Sequence, residues 1–132
     1  MTTISFDLVS PEKFLFNDEV GMIIVPGKDG DIGVLPGHSK VLLSLRPGRI
    51  MVYGEDKILL NSFFVVGGFA EINPEKCIIL AEGVDEIKNL DKSSIENIIQ
   101  KMGDQDSEEE KFKLLIAKSK IEALNSSYYE KL

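Results

Sequence analysis

The first 85 residues of this chain have the hydrophobic pattern of short β-strands. Near the start, Ile4, Phe6 and Leu8 alternate with Ser5 and Asp7, which is the period of two expected of a strand with one buried face. Further apolar runs follow, bounded by turn-forming residues: EVGMIIV (19–25), GRIMVYG (48–54), KILL (57–60), SFFVVGGFAEI (62–72) and CIILA (77–81). Seven or more short strands with regularly spaced turn signals predict a β-sandwich or barrel.

Three short stretches are predicted to turn or bend the chain between these runs. Gly54-Glu55-Asp56 has the composition of a hairpin turn, and NPEK at 73–76 is a second turn. The pair Gly67-Gly68 lies inside an otherwise continuous apolar run, so it predicts a bulge or bend in one strand.

After residue 85 the hydrophobic period changes to that of helices. Ile95, Ile98, Ile99 and Met102 form an amphipathic stripe; Asp91 or Ser93 can cap its start and Gly103 can end it. After a short connector, Ser107-Glu108-Glu109-Glu110 has the pattern of a capping box, which predicts a second helix from about Glu108 to about Tyr128. The four-residue connector predicts an antiparallel helical hairpin.

The second helix is apolar on two roughly opposite faces. One face holds Leu114, Ala117, Ile121, Leu124 and Tyr128, and the other holds Phe112, Leu115, Ile116 and Ala123. Between the two faces lie two seams of lysines: Lys111 with Lys118, and Lys113 with Lys120. This pattern favours a helix held between its partner and the β domain, and the alternative is a helix that exchanges partners and presents a basic seam to an acidic surface.

The segment from Val25 to Gly48 gathers glycines, three prolines and the only histidine of the chain. Pro26-Gly27, Asp29-Gly30 and Pro36-Gly37 each predict a tight turn, and residues 32–35 between them predict a short strand. Such a ribbon would present Asp31 and His38 on rigid loops. Because rigid loops lose little entropy on binding, the segment predicts a docking surface.

An active site is the competing interpretation, and the residue types argue against it. The glycines match neither a P-loop nor a dinucleotide-binding fingerprint, and one His with one Cys cannot form a zinc site rich in those residues. Ser39 or Ser44 beside His38 lacks a nucleophile elbow, Asp29 and Asp31 are ordinary turn residues, and Cys77 has the pattern of a core thiol. We therefore predict no catalytic residue, no metal and no cofactor.

Composition narrows the range of partners. The chain is 43% hydrophobic and 28% charged with a net charge of −7, which predicts a globular fold and argues against binding to nucleic acid or to anionic membranes. A single cysteine permits no intrachain disulfide and favours a reducing compartment. Neither a membrane span nor a signal peptide is apparent in the sequence.

The turn-rich segment also resembles a known signature. VPGKDGDIGVLPGHSKVLLSLRPGRI, together with FDLVSPEKFLF before it and GGFAEI after it, is similar to the epsilon subunit of the bacterial F-type proton-translocating ATP synthase. The resemblance covers nearly the whole chain and is stronger before residue 85. It implies a β-sandwich of two packed, mainly antiparallel five-stranded sheets (residues 1–85) followed by an antiparallel helical hairpin (residues 86–132).

The resemblance further implies a non-catalytic rotor subunit, attached peripherally to the cytoplasmic face of the bacterial inner membrane or, alternatively, to the stromal face of the thylakoid. Its partners would be the gamma subunit, the membrane c-ring and the alpha/beta catalytic head. By position in the family pattern, the residues expected to face the c-ring are Gly30, Asp31 and Gly33. Those expected to face gamma are Ser10, Pro36, Gly37 and His38.

The hairpin of this family can extend along gamma and block ATP hydrolysis, which gives the lysine seams a regulatory role at Lys111, Lys113, Lys118 and Lys120. Many members bind ATP through an Ile/Leu-Asp-x-x-Arg-Ala motif. This chain has Leu90 and Asp91, but Ser94 and Ile95 stand in place of Arg-Ala. Asp91 is therefore the only polar residue of the motif that the chain retains, and we expect the chain not to bind ATP.

Two other functions fit parts of the pattern. One is a small β-module that binds carbohydrate or peptide and uses the helices to dimerise, although the chain has no Trp and only three Tyr. The other is a cupin-type enzyme, which needs several metal-binding histidines where this chain has one.

Overall fold

The computed structural model describes residues 2–11, 13–102 and 107–125, apart from the side chains of residues 13 and 14. The described chain folds as ten strands followed by two helices. The strands are β1 (Ile4–Ser10), β2 (Lys13–Val20), β3 (Met22–Gly27), β4 (Gly30–Val34), β5 (Val41–Leu45), β6 (Gly48–Tyr53), β7 (Leu59–Val65), β8 (Gly68–Ile72), β9 (Lys76–Ala81) and β10 (Val84–Glu86). A 3-10 turn (Ile87–Asn89) leads to α1 (Lys92–Lys101) and α2 (Glu108–Asn125).

The strands form two layers of five. Layer one has the order β10-β7-β6-β3-β4 and layer two the order β5-β8-β9-β1-β2. Neighbouring strands are antiparallel except β1 and β9, which are parallel. Among the described residues, one pairing between Gly27 of β3 and Leu45 of β5 joins the layers. The predicted β-sandwich of two mainly antiparallel sheets followed by two helices is confirmed.

The core lies between the layers and is built by strand alternation. Ile4, Phe6 and Leu8 of β1 point inward as predicted, and they meet inward residues of layer one such as Val52 and Phe63. Phe16 of β2 packs between the rings of Phe6 and Phe63, at centroid distances of 5.7 and 5.8 Å. The residues that alternate with these point to the two outer faces of the sandwich, and a docking surface therefore has to lie on one of these outer faces.

Two strand predictions differ from the structure. The run 19–25 is two strands, because the chain turns at Gly21, where a Cβ would lie 2.3 Å from the Gly54 carbonyl oxygen and only glycine allows that approach. Of the two outcomes predicted for Gly67-Gly68, a bulge or a bend, the structure has a bend, which divides the run into the two strands β7 and β8. At this bend Gly68 has φ of 131° and the Glu82 N–H donates to the Gly67 carbonyl oxygen.

The helices begin where the capping residues predict. Asp91 caps α1 by accepting from the Ser93 N–H (3.1 Å), and the Ser107 hydroxyl accepts from the Glu110 N–H (3.1 Å) at the start of α2. α1 ends at Lys101 with Met102 as its cap, while Gly103 and Tyr128 lie outside the described residues.

The predicted apolar stripes are only partly buried. The two helices pack against each other, and Ile95 is buried in α1, but Ile98 remains largely exposed. In α2 the buried residues are Ala117 and Ala123, one from each predicted face, whereas Phe112 and Leu115 are exposed. The second face of α2 is thus covered at its C-terminal half and open at its N-terminal half.

We expect the Cys77 thiol to destabilise the fold progressively in alkaline solution. Burial in the core, with a smaller contribution from the charge of Asp7, raises the pKa of Cys77 from its ordinary value of 9.0 to about 12. Below pH 9 the thiol is protonated in both the folded and the unfolded state. Above pH 9 the unfolded chain loses the proton first, so the free energy of unfolding falls by up to about 1.4 kcal/mol per pH unit until about pH 12.

This expectation is measured by urea unfolding of the native chain and of Cys77→Ala at pH 8 and pH 10. The native chain should lose more stability between these two values than the variant does. Equal losses in both proteins would show that Cys77 is not the group that titrates.

Candidate docking surfaces

Asp31 is bound by Arg46, a residue that the sequence pattern did not indicate as part of a site. It lies exposed on β4, opposite Pro26 of β3, and Arg46 Nη2 donates to Asp31 Oδ1 at 2.6 Å. Arg46 Nη1 donates to the Gly27 carbonyl oxygen, also at 2.6 Å. The guanidinium therefore holds the Asp31 carboxylate in position, and the contact spans 15 residues of sequence.

The two glycines predicted beside Asp31 have different backbone conformations. Gly30 begins β4 with φ of 144°, a conformation that favours glycine, and it pairs with Gly27 across the turn. Gly33 lies further along β4, exposed, and its φ is outside the left-handed region. Asp31 itself belongs to a strand, which differs from the loop position that the turn composition predicted.

His38 lies in the loop between β4 and β5, half-buried. Gly37 has φ of 87° and its N–H donates to the Pro74 carbonyl oxygen at 2.8 Å, so the loop is attached to the β8–β9 turn. The His38 N–H donates to the Leu35 carbonyl oxygen (3.1 Å), and its ring Nδ1 lies 2.7 Å from the Ser39 carbonyl oxygen. These hydrogen bonds attach the loop to the β8–β9 turn and close it on its own backbone.

Asp31 and His38 do not share one end of the sandwich. Asp31 lies near Gly27, which pairs with Leu45 at the end of β5, whereas the loop with His38 leads into Val41 at its start. β4 lies between the two residues along the chain and separates them along the layer.

An exposed apolar surface, which we call the apolar face, lies on the outside of layer two. Leu42, Phe69 and Leu80 are 71%, 51% and 54% exposed. Phe69 of β8 pairs with Leu80 of β9, which pairs with Val9 of β1, so Phe69, Leu80 and Val9 form a row across three strands. Leu42 lies on the neighbouring strand β5, opposite Glu71. Neighbouring large apolar side chains left in water on one face mark an interaction surface.

The apolar face lies between the residues that the resemblance assigns to gamma. Ser10 follows Val9 at one end of β1 and is half-buried. The loop of residues 36–38 lies at the other end of the layer, and His38 precedes Leu42 by four residues. The hydrophobic pattern does not indicate this face, because Leu42, Phe69 and Leu80 have the pattern of ordinary strand residues and only the strand register shows that they are neighbours.

Beside the apolar face lies a buried polar cluster. Asp7 is 7% exposed, accepts a hydrogen bond from the Asn17 amide and lies 3.3 Å from Lys76 Nζ. A buried carboxylate needs such partners to offset the loss of its hydration. Because Asp7 and Asn17 pair across β1 and β2, this cluster fixes the edge strand of layer two.

The hairpin rests on the opposite side, against the outside of layer one. Lys120 Nζ lies 3.3 Å from Asp85 Oδ2 and 5.8 Å from the centre of the Phe64 ring. Arg49 Nη1 donates to the Ala123 carbonyl oxygen (3.1 Å) in the last turn of α2, while Arg49 Nε donates to the Ser62 hydroxyl (2.7 Å). A cation at this position also complements the helix dipole, since α2 has no basic residue in its last turn.

The other lysines of α2 have different surroundings. Lys111 and Lys113 lie 3.4 and 3.5 Å from Glu108 and Glu109 within the helix, and Lys118 is exposed. Of the four lysines predicted to be regulatory, Lys120 is therefore the one seen bridging to the sandwich.

Asp91, the remaining polar residue of the nucleotide motif, is part of a helix cap. Its carboxylate accepts from the Ser93 N–H and, at 2.8 Å, from the Ser94 hydroxyl. Ser94, which replaces the motif arginine, thus completes the cap. Within the described parts of the chain there is no group of three or more metal-binding side chains, and no helix is both long and apolar enough to cross a membrane.

Comparison with known proteins agrees with this architecture. Residues 3–86 match the family described as ATP synthase, Delta/Epsilon chain, beta-sandwich domain. The ATP synthase epsilon chain of Rhodospirillum rubrum is 39% identical over 126 residues, which cover 92% of this chain and 93% of that relative. That of Rhodospirillum centenum is 42% identical over 102 residues, covering 76% and 70%.

Solved structures show the same fold. A chain of the Euglena gracilis mitochondrial ATP synthase, in an OSCP/F1/c-ring structure, aligns with a TM-score of 0.80 and 22% identity over 94% of this chain and 80% of its own length. The fold is that of the delta/epsilon β-sandwich subunits of ATP synthase. The chain belongs to the ATP synthase epsilon family, as the sequence resemblance predicted. Epsilon chains are non-catalytic subunits of a complex whose catalytic sites lie in other subunits.

Proposed function

We propose that this protein is a rotor subunit of an F-type ATP synthase, which couples rotation of the c-ring to ATP synthesis in the alpha/beta head and has no catalytic activity of its own. The observation that supports this most is the difference between the two outer faces. The hairpin packs on layer one, while layer two presents the apolar face. A subunit that joins other subunits needs such an uncovered apolar surface.

The apolar face is the surface that we assign to gamma. Leu42, Phe69 and Leu80 provide its area, with Ser10 at one end and the loop of Pro36, Gly37 and His38 at the other. Exclusion of water from exposed leucine and phenylalanine side chains contributes about 25 cal/mol per Å² of apolar surface. The rigid loop limits the entropy lost on binding.

Gly30, Asp31 and Gly33 are the residues that we assign to the c-ring. They lie on β4, toward the end of the sandwich where Arg46 is bound to Asp31. A carboxylate whose geometry is fixed in advance suits recognition of polar loops. This arrangement would attach the protein peripherally to the cytoplasmic face of the bacterial inner membrane, and the thylakoid stromal face is the alternative location.

The hairpin is the part that we assign to regulation of ATP hydrolysis. In the docked position Lys120 and Arg49 attach α2 to the sandwich, while Phe112 and Leu115 remain exposed on its other half. Extension toward the catalytic head would break the two polar contacts and free Lys120 to join Lys111, Lys113 and Lys118 in contacting acidic surfaces there.

Reconstitution tests the proposed function. Membranes stripped of epsilon should regain proton-coupled ATP synthesis when this chain is added, and the chain should copurify with gamma. A chain that binds gamma but restores no coupling would contradict the rotor role. Hydrolytic activity of the isolated chain would contradict its assignment as non-catalytic.

We expect Lys120→Glu to release α2 from the sandwich. The substitution replaces attraction to Asp85 by repulsion and removes the contact with Phe64. Since the pair is partly exposed, its contribution is about 1 kcal/mol, and the repulsion adds to the loss. Amide hydrogen exchange on β6 and β7 should become severalfold faster.

Lys118→Glu is the matched control, because Lys118 is exposed on the same helix and the change in charge is identical. Exchange on β6 and β7 should stay at the native rate in this variant. Equal acceleration in both variants would show that net charge of the helix, and not the contact with Asp85, controls docking.

A further inference from the structure

A methionine is buried beneath the docked hairpin, on the outside of layer one. Met51 of β6 is 1% exposed, although it does not belong to the core between the two layers. It forms a separate apolar cluster with Ile24 and Tyr53. Because α2 packs on β6, the burial of Met51 depends on a helix that is released when the hairpin extends as proposed above.

The sulphur of Met51 also lies at the end of the polar contacts that hold α2. Arg49 lies two residues before Met51 on the same face of β6, and it donates to the Ala123 carbonyl oxygen (3.1 Å) and to the Ser62 hydroxyl (2.7 Å). The Ser62 hydroxyl in turn donates to Met51 Sδ at 3.5 Å. A thioether is a weak acceptor, so a stronger acceptor at this position would disturb the contacts that dock α2.

Oxidation is the chemical change that makes this sulphur a stronger acceptor. A hydroperoxide such as hydrogen peroxide transfers one oxygen atom to a thioether: an S–O bond forms while the O–O bond breaks. The hydroxide that leaves takes the proton of the transferred hydroxyl group and becomes water. The sulphur loses two electrons and the peroxide gains them. The product, methionine sulfoxide, is a polar side chain.

Docking of α2 and oxidation of Met51 should exclude each other. In the docked position a sulphur that is 1% exposed gives a peroxide no access. After oxidation, docking would bury a polar oxygen in the cluster of Ile24 and Tyr53. That oxygen would also compete for the Arg49 N–H groups that now bind Ser62 and Ala123.

We infer that Met51 is a redox latch of the hairpin: a hydroperoxide oxidises it to the sulfoxide while α2 is released, and the sulfoxide then keeps α2 from docking again. The inference rests on the proposed regulatory role of the hairpin and adds a chemical signal to it. Methionine sulfoxide reductase reverses the oxidation, so the latch opens again when the thioether is restored.

The first test measures how fast hydrogen peroxide oxidises Met51 in the full chain, by mass spectrometry of the peptide that contains it. Oxidation should be slow in the native chain and severalfold faster in Lys120→Glu, which loses the contact of α2 with Asp85. Lys118→Glu is the matched control and should keep the native rate, because Lys118 is exposed and makes no such contact. Equal rates in all three proteins would overturn the inference.

The second test measures amide hydrogen exchange on β6 and β7 after peroxide treatment. Exchange should become about tenfold faster in the oxidised native chain, since a buried polar group without a matched partner costs about that factor in the docking equilibrium. Treatment with the reductase should return it to the native rate. Met51→Leu cannot be oxidised at this position and has nearly the same volume, so its exchange should not respond to peroxide.

Met22→Leu is the control for the second test, because Met22 packs against the same cluster and its oxidation is removed instead. It should respond to peroxide as the native chain does. Native exchange in the oxidised chain, or a response that persists in Met51→Leu, would overturn the inference. All these rates are measured on the isolated full chain, so a failure of reconstitution with gamma would contradict the proposed function and leave the outcome for Met51 unchanged.

Discussion

A chain with Phe69→Asp and Leu80→Lys is expected to lose its binding to gamma while it keeps its fold. Both side chains are about half exposed, so the substitutions remove little from the core. In the complex they would bury two charges in the middle of the apolar face, where each large apolar anchor is worth about 2 kcal/mol or more. The dissociation constant should rise at least about a hundredfold, as measured by calorimetry with purified gamma.

The matched control is Ile58→Asp with Leu60→Lys, which introduces the same charges at two exposed apolar positions of layer one. Leu60 lies at the start of β7, and Ile58 lies just before that strand. This variant should bind gamma normally. Comparable losses in both variants would show that gamma does not recognise the apolar face specifically.

Removal of residues 90–132 should leave a sandwich that folds alone but is much less stable. The core between the layers is built from strand residues only. However, Met51, Tyr53 and Phe64 are buried on the outside of layer one, against which α2 packs. Uncovering them should lower the free energy of unfolding by about 3–6 kcal/mol in urea titrations, while binding to gamma persists.

A chain ending at Met102 serves as the comparison, since it loses α2 and keeps α1. It should show most of the same loss of stability, because α2 provides the contact with β6. A truncated chain that does not unfold cooperatively would show that the division near residue 85 is wrong and that the hairpin belongs to the core. The truncation is placed after Asn89 because β10 extends to Glu86.

The fold was predictable where one strand face is buried. Alternation at Ile4, Phe6 and Leu8 is a local signal, and the capping residues Asp91 and Ser107 act on their own helices. The turn at Gly21 and the division of residues 62–72 into two strands were not predicted, because runs of apolar residues do not show where a chain reverses. Close approach to Gly54 decides the turn at Gly21, and that contact is long-range in sequence.

The candidate surfaces were predictable residue by residue but not as surfaces. Glycine and proline spacing indicated rigid turns around Asp31 and His38, yet only strand register shows that the two lie at different ends of β5. Arg46 and the row formed by Phe69 and Leu80 depend on contacts between distant segments. The hydrophobic period shows which face of a strand points into the core, but it does not show which outer face of the sandwich is left uncovered by the helices.

The position of Arg46 also determines how the sandwich responds to mechanical load. Arg46 belongs to the two-residue link between β5 of layer two and β6 of layer one, and its N–H donates to the Pro26 carbonyl oxygen at 3.0 Å. Its guanidinium holds both Gly27 and Asp31. A force applied to Asp31 is therefore transmitted to both layers at once and does not bend the β3–β4 hairpin alone. In the proposed rotor role, the sandwich would therefore turn as one stiff body, with little of an applied torque stored as elastic twist.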